Sequence, residues 1–228
     1  MIAPLVSSSK PITLIGGAEP AKGALTIALK YGEIVVCADG GAEFANREGL
    51  TPAAIIGDMD SISARSKSFF KDVIYEVSEQ DSTDFDKALR HTETPLILGV
   101  GFTGARIDHE LGSLAVLARY PDRRCILIGE ETITVLCPPQ ISLDLAPETP
   151  VSLFPMAEVR CDSSGLRWDT TGLEFAPDGQ IGTLNKATGP ITIAPDRPKM
   201  VLILPRDALD VTVRALLQDG AQWPVRAR

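Results

Sequence analysis

Between Ile12 and Leu136, short apolar runs without polar alternation trade places with longer amphipathic stretches, and this rhythm leaves few folds open. The apolar runs are Ile12–Ile15, Ile34–Ala38, Ala53–Ile56, Val73–Val77, Leu96–Val100 and Cys125–Ile128. A strand that shows no polar face has to be covered on both sides, which is the situation of a parallel sheet layered by helices. The stretches between them read as helices around Ala21–Lys30, Ala42–Glu48, Ala64–Lys71, Asp84–His91 and Asp108–Arg119. Strand–helix alternation of this kind predicts an α/β domain built on a doubly wound, mostly parallel sheet.

After Pro138-Pro139 the rhythm changes. Short alternating segments (Ile141–Leu145, Val151–Pro155, Ile191–Ala194 and Lys199–Leu204) are divided by turns rich in Pro, Gly and Asp. Asp178-Gly179 and Thr188-Gly189-Pro190 are strong turn signals. One further helix is expected, at Ala208–Gln218. The sequence therefore predicts two domains, an α/β domain over 1–138 and a small antiparallel β-sandwich over 139–228.

With 30 acidic and 22 basic residues among 228, the formal net charge is -8, and no basic run is long enough to track a phosphate backbone. Nucleic-acid or anionic-membrane binding is not expected. No segment approaches the ~20 apolar residues that span a bilayer, and the start lacks a basic stretch followed by a long apolar one. A soluble, cytoplasmic protein is expected. Cys37, Cys125, Cys137 and Cys161 show no close pairing and read as buried free thiols. An acidic chain that handles phosphates must recruit cations locally.

Ligands of a doubly wound sheet bind beyond the carboxyl ends of its strands, so the residues after each apolar run carry the functional signal. They read Asp39-Gly40-Gly41, Gly57-Asp58-Met59-Asp60-Ser61, Asp81-Ser82-Thr83-Asp84 and Gly101–His109, four polar and Gly-rich clusters expected along one edge. Asp39-Gly40-Gly41 also fits a plain turn into a helix. Asp58 and Asp60 would repel each other unless compensated, and Mg²⁺ is the natural partner of such carboxylate oxygens. Thr83 or Ser82 suits a helix N-cap, whose backbone N–H groups also present themselves to phosphate. Lys87 shares a helix face with Asp84 and can reach either a phosphate or a neighbouring carboxylate. Arg106 offers a planar fork to phosphate oxygens, while Asp108 and His109 open the next helix, with His109 a weak candidate. Carboxylates, one Arg and one Lys around a Gly-lined cleft suit phosphoryl-type transfer, in which positioning and charge neutralisation carry most of the catalysis.

These motifs resemble, in order and spacing, those of the thiamine pyrophosphokinase family: Asp39-Gly40-Gly41, Gly57-Asp58-Met59-Asp60-Ser61, Thr83-Asp84-Phe85-Asp86-Lys87 and Thr103-Gly104-Ala105-Arg106-Ile107-Asp108-His109. Ser164-Gly165-Leu166-Arg167-Trp168 and Leu184-Asn185 resemble the family's β domain more loosely. Ala105 stands where the family has a second Gly, and Leu184 where it has a Ser near thiamine. The resemblance implies pyrophosphoryl transfer from ATP to the hydroxyl of thiamine, with Asp39, Asp58, Asp60 and Asp84 holding Mg²⁺. It further implies that Arg106 and Lys87 offset developing charge and that one of the Asp carboxylates takes the hydroxyl proton, with Asp108 also counted in the catalytic set. Asp39, Gly40, Gly41, Thr83, Lys87, Arg106, Trp168 and Asn185 would bind the substrates, Trp168 and Asn185 acting in trans within a homodimer. The alternatives are a metal-dependent phosphatase or nucleotidyltransferase acting on another small substrate, and a nucleotide-sensing module without chemistry.

Overall fold

The apolar runs of the first half become six parallel strands in a computed structural model that describes residues 3–218 and 222–225. The chain divides into two compact units, Met1–Val116 with Cys125–Glu130, and Leu117–Arg124 with Glu131–Arg228.

In the first unit the chain runs β1 (Val6–Ser7), β2 (Ile12–Ile15), α1 (Ala24–Leu29), β3 (Ile34–Ala38), α2 (Gly41–Arg47), β4 (Ala54–Gly57) and α3 (Ala64–Phe69). It continues through β5 (Ile74–Glu76), α4 (Asp84–Arg90), β6 (Thr92–Glu93), β7 (Ile97–Val100), α5 (Ile107–Arg119, of which Leu117–Arg119 count with the second unit) and β8 (Cys125–Ile128). The sheet order is β8-β7-β2-β3-β4-β5, every pairing parallel. β2, β4, β7 and β8 are buried at every position, which is why their sequences show no polar alternation. From β2 the chain steps outward to β5, then returns to the other flank of β2 as β7. Strand order thus reverses between β2 and β7, and such reversals are where open α/β sheets leave a crevice.

Local chemistry sets the helix starts that frame this edge. The Ser63 hydroxyl accepts from the Ser66 amide at the start of α3, and the Thr83 hydroxyl accepts from the Asp86 amide at the start of α4. Asp84 and Asp86 occupy the first turn of α4, where the positive end of the helix dipole favours them.

The second unit contains β9 (Thr132–Leu136), β10 (Ile141–Leu143), β11 (Pro150–Pro155), β12 (Val159–Leu166), β13 (Glu174–Phe175), β14 (Gly182–Pro195), β15 (Met200–Pro205) and α6 (Leu209–Gln218). All pairings within it are antiparallel, in the order β9-β15-β11-β14-β12-β13 with β10 also on β14. Thr188-Gly189-Pro190 does not reverse the chain, contrary to its turn signature, but lies inside β14. Its physical role is a bulge: β14 advances from Ala187 to Thr192 while β12 advances only from Leu166 to Ser164. β12 pairs with β14 on both sides of the bulge, while the opposite edge of β14 changes partner there, from β11 before it to β10 beyond it. Asp178-Gly179 does form a turn, with the Gly179 amide donating to the Ala176 carbonyl. The four cysteines are buried free thiols, and among the described residues no helix is long and apolar enough to cross a membrane.

Candidate active site

The residues that follow β2, β3, β4 and β7, together with the first turns of α4 and α5, line a cleft of about 690 Å³ in the first unit. Gly40, Asp58, Thr83, Asp84, Arg106 and Asp108 from the sequence-derived set line it. Asp39 and Lys87 lie buried rather than in the wall, and Asp60 is exposed.

Asp39 is the least comfortable residue of the group. It follows β3 with a φ of 34°, in the left-handed region that side chains avoid, and it is 0% exposed. Its Oδ2 accepts from the Ser61 amide at 3.0 Å. Its Oδ1 is buried without a hydrogen-bond partner among the described residues. Burial pushes the carboxyl up to about 6, the Ser61 bond pulling it down and the charges of Asp84 and Asp58 adding to the rise.

The loop after β4 turns at Met59, also left-handed with a φ of 65°. This turn presents Asp58 and Asp60 together, and one oxygen each from Asp39, Asp58 and Asp60 lies within 4.8 Å of the others. Three carboxylate oxygens at that separation, on a group that includes the buried Asp39 with its unpartnered Oδ1, fit a hard divalent cation that fills its remaining positions with water or phosphate oxygen. Asp84 does not join this group of three.

Asp84 is engaged by Lys87 instead. The Lys87 ammonium, on a side chain 1% exposed, donates to Asp58 Oδ2 at 2.8 Å and to Asp84 Oδ1 at 3.3 Å. The spacing of three residues on α4 makes the second contact local, while the first ties α4 to the loop after β4. Burial would lower the Lys87 pKa, but the bonds and charges of Asp58 and Asp84 outweigh it and the value is raised. The Lys87 hydrogen bond likewise holds Asp58 below its ordinary value. Asp84 moves the other way, raised by burial against the pull of Lys87. Of the two roles open to Lys87 in the sequence, the structure displays the pairing with carboxylates.

Gly41 and Gly57 are among the glycines that close approach requires. A Cβ on Gly41 would come within 2.2 Å of the Ile15 carbonyl oxygen, and one on Gly57 within 2.6 Å of Asp39 Cβ and 2.9 Å of Asp84 Oδ1. Their absence of side chains lets α2 start against β2 and lets Asp39 sit beside Asp84.

Arg106 stands at the rim with its side chain 67% exposed, and Asp108 receives its Nε at 3.1 Å. His109 lines the cleft and is exposed. In the second unit Asn185 is buried and binds the Trp168 backbone twice, accepting from its amide at 3.2 Å and donating to its carbonyl at 2.7 Å. Trp168 itself is 57% exposed, and Leu184 is 82% exposed at a φ of 67°.

Several contributors escaped the sequence reading. Gly17 and Ala18, after β2, line the cleft, and the glycine pair ending that first apolar run was the available signal. Gln80 donates to Asp58 Oδ2 at 3.1 Å. Phe102 lines the wall beside Phe85, ring centroids 4.5 Å apart. Glu79 and Arg90 pair across the loop before α4, Arg90 also reaching Asp86 at 3.2 Å.

The sequence pattern of the thiamin pyrophosphokinase catalytic domain matches residues 27–128, a span that holds all four loops. Thiamine pyrophosphokinase 1 of Arabidopsis thaliana is 34% identical over 191 residues, covering 68% of this chain and 72% of the relative. Thiamine pyrophosphokinase 1 of Oryza sativa subsp. japonica is 31% identical over 185 residues, covering 66% of this chain and 70% of its own. Among solved structures, thiamin pyrophosphokinase from Candida albicans superposes with a TM-score of 0.70 at 20% identity, over 89% of this chain and 93% of that one. Thiamine pyrophosphokinase from Bacillus subtilis gives 0.70 at 19% identity, over 87% and 100%. At those identities the structural likeness speaks for the fold.

Proposed function

Because the chain belongs to the thiamine pyrophosphokinase family, we propose that it moves the pyrophosphoryl group of ATP to the hydroxyl of thiamine, yielding thiamine diphosphate and AMP. The observation that carries this reading is the buried Oδ1 of Asp39, without a partner among the described residues, on a residue whose carboxylate gathers with those of Asp58 and Asp60 beyond the carboxyl ends of β3 and β4.

In this reading Asp39, Asp58 and Asp60 would hold Mg²⁺, with Asp84 the nearby fourth carboxylate. The cation, when bound, supplies charge neutralisation to phosphate oxygens. Lys87 keeps Asp58 and Asp84 in fixed orientations through its two hydrogen bonds. Asp84 lines the cleft and burial raises its pKa, which suits it to accept the hydroxyl proton. Arg106, at the mouth, exchanges its Asp108 partner for phosphate oxygens, and Thr83, Gly40 and Gly41 border the bound nucleotide. Trp168 offers an exposed ring to an aromatic substrate and Asn185 fixes the backbone beneath it.

The finer architecture belongs to the same proposal. The reversal of strand order supports a doubly wound catalytic domain, and the exchange of β11 for β10 along β14 supports a sandwich; we place their boundary ahead of β9, which pairs with β15, rather than at 138 where the sequence rhythm changes. A cytoplasmic homodimer, with Trp168 and Asn185 acting on the partner's substrate, completes it. The test is AMP release from ATP with thiamine present and absent, followed by removal of Mg²⁺. Release that ignores thiamine would overturn the reading.

A further inference from the structure

The segment that leaves β3 grips the loop after β4 at two points. Asp39 Oδ2 accepts from the Ser61 amide at 3.0 Å. Four residues on, Glu43 Oε1 accepts from the Ser63 amide at 2.7 Å. The second Glu43 oxygen accepts from the Ser66 hydroxyl at 3.0 Å, and Asn46 donates to the same hydroxyl at 3.1 Å. Ser66 is 0% exposed, so this end of the grip is anchored in the core. Ser63 is also the N-cap of α3, whose hydroxyl accepts from the Ser66 amide. Glu43 therefore holds both ends of one helical turn while it lines the cleft. Between its anchor and Asp58 lie only Met59, Asp60, Ser61 and Ile62, with Met59 in a left-handed conformation that the chain would not choose unaided.

We propose, on the footing of the cation site assigned above, that Glu43 is a positioning residue: its bonds to Ser63 and Ser66 fix the loop so that Asp58 and Asp60 converge on Asp39. Burial opposes the Glu43 charge, but the Ser63 and Ser66 bonds hold its pKa below the ordinary value, so it grips as a carboxylate at neutral pH. Its two carboxylate oxygens are engaged by Ser63 and Ser66. Its contribution is to the affinity of the site for a cation, through geometry that a glutamine can reproduce, because an amide oxygen still accepts from Ser63 and Ser66 can accept from the amide nitrogen.

The test uses nucleotide-free full-length protein with Mn²⁺ as probe, read by calorimetry, and amide hydrogen exchange of Ser61 and Ser63 in chelator. Glu43→Ala is expected to bind Mn²⁺ about tenfold more weakly, the scale of one lost hydrogen bond to a charged group, and to exchange the two amides at least tenfold faster. Glu43→Gln is expected to stay within about threefold of wild type in both. Wild-type affinity in Glu43→Ala overturns the proposal, as does a Glu43→Gln as impaired as Glu43→Ala. Should Glu43→Ala fail to fold, Glu43→Asp, one methylene too short to reach both partners, replaces it with the same expectations. If wild type binds no Mn²⁺ the cation site itself is wrong, and the exchange rates alone then decide whether Glu43 holds the loop.

Discussion

Asp39→Asn is expected to make the metal-free protein more stable while abolishing its activity. Burial and like charges raise the Asp39 carboxyl from 3.8 to about 6. A shift of that size corresponds to about 3 kcal/mol of strain in the folded, ionised state. The side chain has no exposed surface, but its neighbours Ala38 and Gly40 line a cleft open to water, so about 3 kcal/mol is a ceiling. An asparagine keeps an oxygen for the Ser61 amide and puts an N–H₂ donor where the orphaned oxygen was, beside carboxylates that can accept from it.

The pH dependence follows from the direction of the shift. Above about pH 6 the folded and unfolded forms of Asp39 are both ionised and the whole penalty applies. As pH falls toward 3.8 the folded form takes its proton first, so wild type gains stability through that window and the penalty is gone below it. Urea unfolding in chelator at several pH values is the assay. The variant should exceed wild type by up to about 3 kcal/mol at pH 7.5 and by little near pH 4. Near-equal stability at pH 7.5, or a difference that ignores pH, would refute the idea that Asp39 carries an uncompensated charge. Saturating Mg²⁺ should raise wild type and leave the variant unmoved.

Asp58→Ala and Asp60→Ala should each abolish AMP release while far-ultraviolet circular dichroism stays native; Mg²⁺-dependent turnover in both would defeat the cation assignment. Arg106→Lys is expected to lose at least tenfold in kcat/KM with little change in stability, since the guanidinium is exposed and an ammonium lacks its planar fork; a near-normal rate removes Arg106 from the reaction. Gly57→Ala forces a methyl to within 2.6 Å of Asp39 Cβ, so Mn²⁺ affinity should collapse along with a loss of about 1–3 kcal/mol in stability; unaltered Mn²⁺ binding in calorimetry would show that the loop has room to move. Lys87→Met should cost about 1–2 kcal/mol in urea unfolding at pH 7, below the usual figure for a broken buried pair because Asp84 is part exposed; equal stability would mean that the two carboxylates find other donors.

The first unit was largely legible because burial on both faces of a parallel strand removes polar residues from its sequence. Ile12–Ile15, Ile34–Ala38 and Cys125–Ile128 begin and end as their apolar runs do. The second unit was harder for the opposite reason. β12 runs through Asp162, Ser163, Ser164 and Gly165, whose partial exposure makes a strand resemble a loop, and the first half of β14 mixes exposed, half-buried and buried positions without a steady alternation. β9 was unmarked, as were β1 and β6, which are two residues each. In the cleft the acidic loops announced themselves by carboxylates in close succession. Gln80 and Glu43 did not, since a single polar side chain acquires its meaning only from the backbone amide or carboxylate that the fold brings to it.

The charge balance of the cleft favours the proposed cation beside Asp39 over one beside Asp84. Lys87 reaches both Asp58 and Asp84, the second through its i, i+3 position on α4 and the first across to the loop after β4. Arg106 is occupied by Asp108 at the rim. Among the described residues, Asp39 and Asp60 are left with only the Ser61 amide and hydroxyl as donors, and one Asp39 oxygen with none. An ammonium placed there would neutralise the pocket permanently and stabilise the empty protein. A carboxylate group left short of positive charge instead costs folding energy that only a bound cation returns, so the same deficit that weakens the metal-free fold sets the affinity of the site.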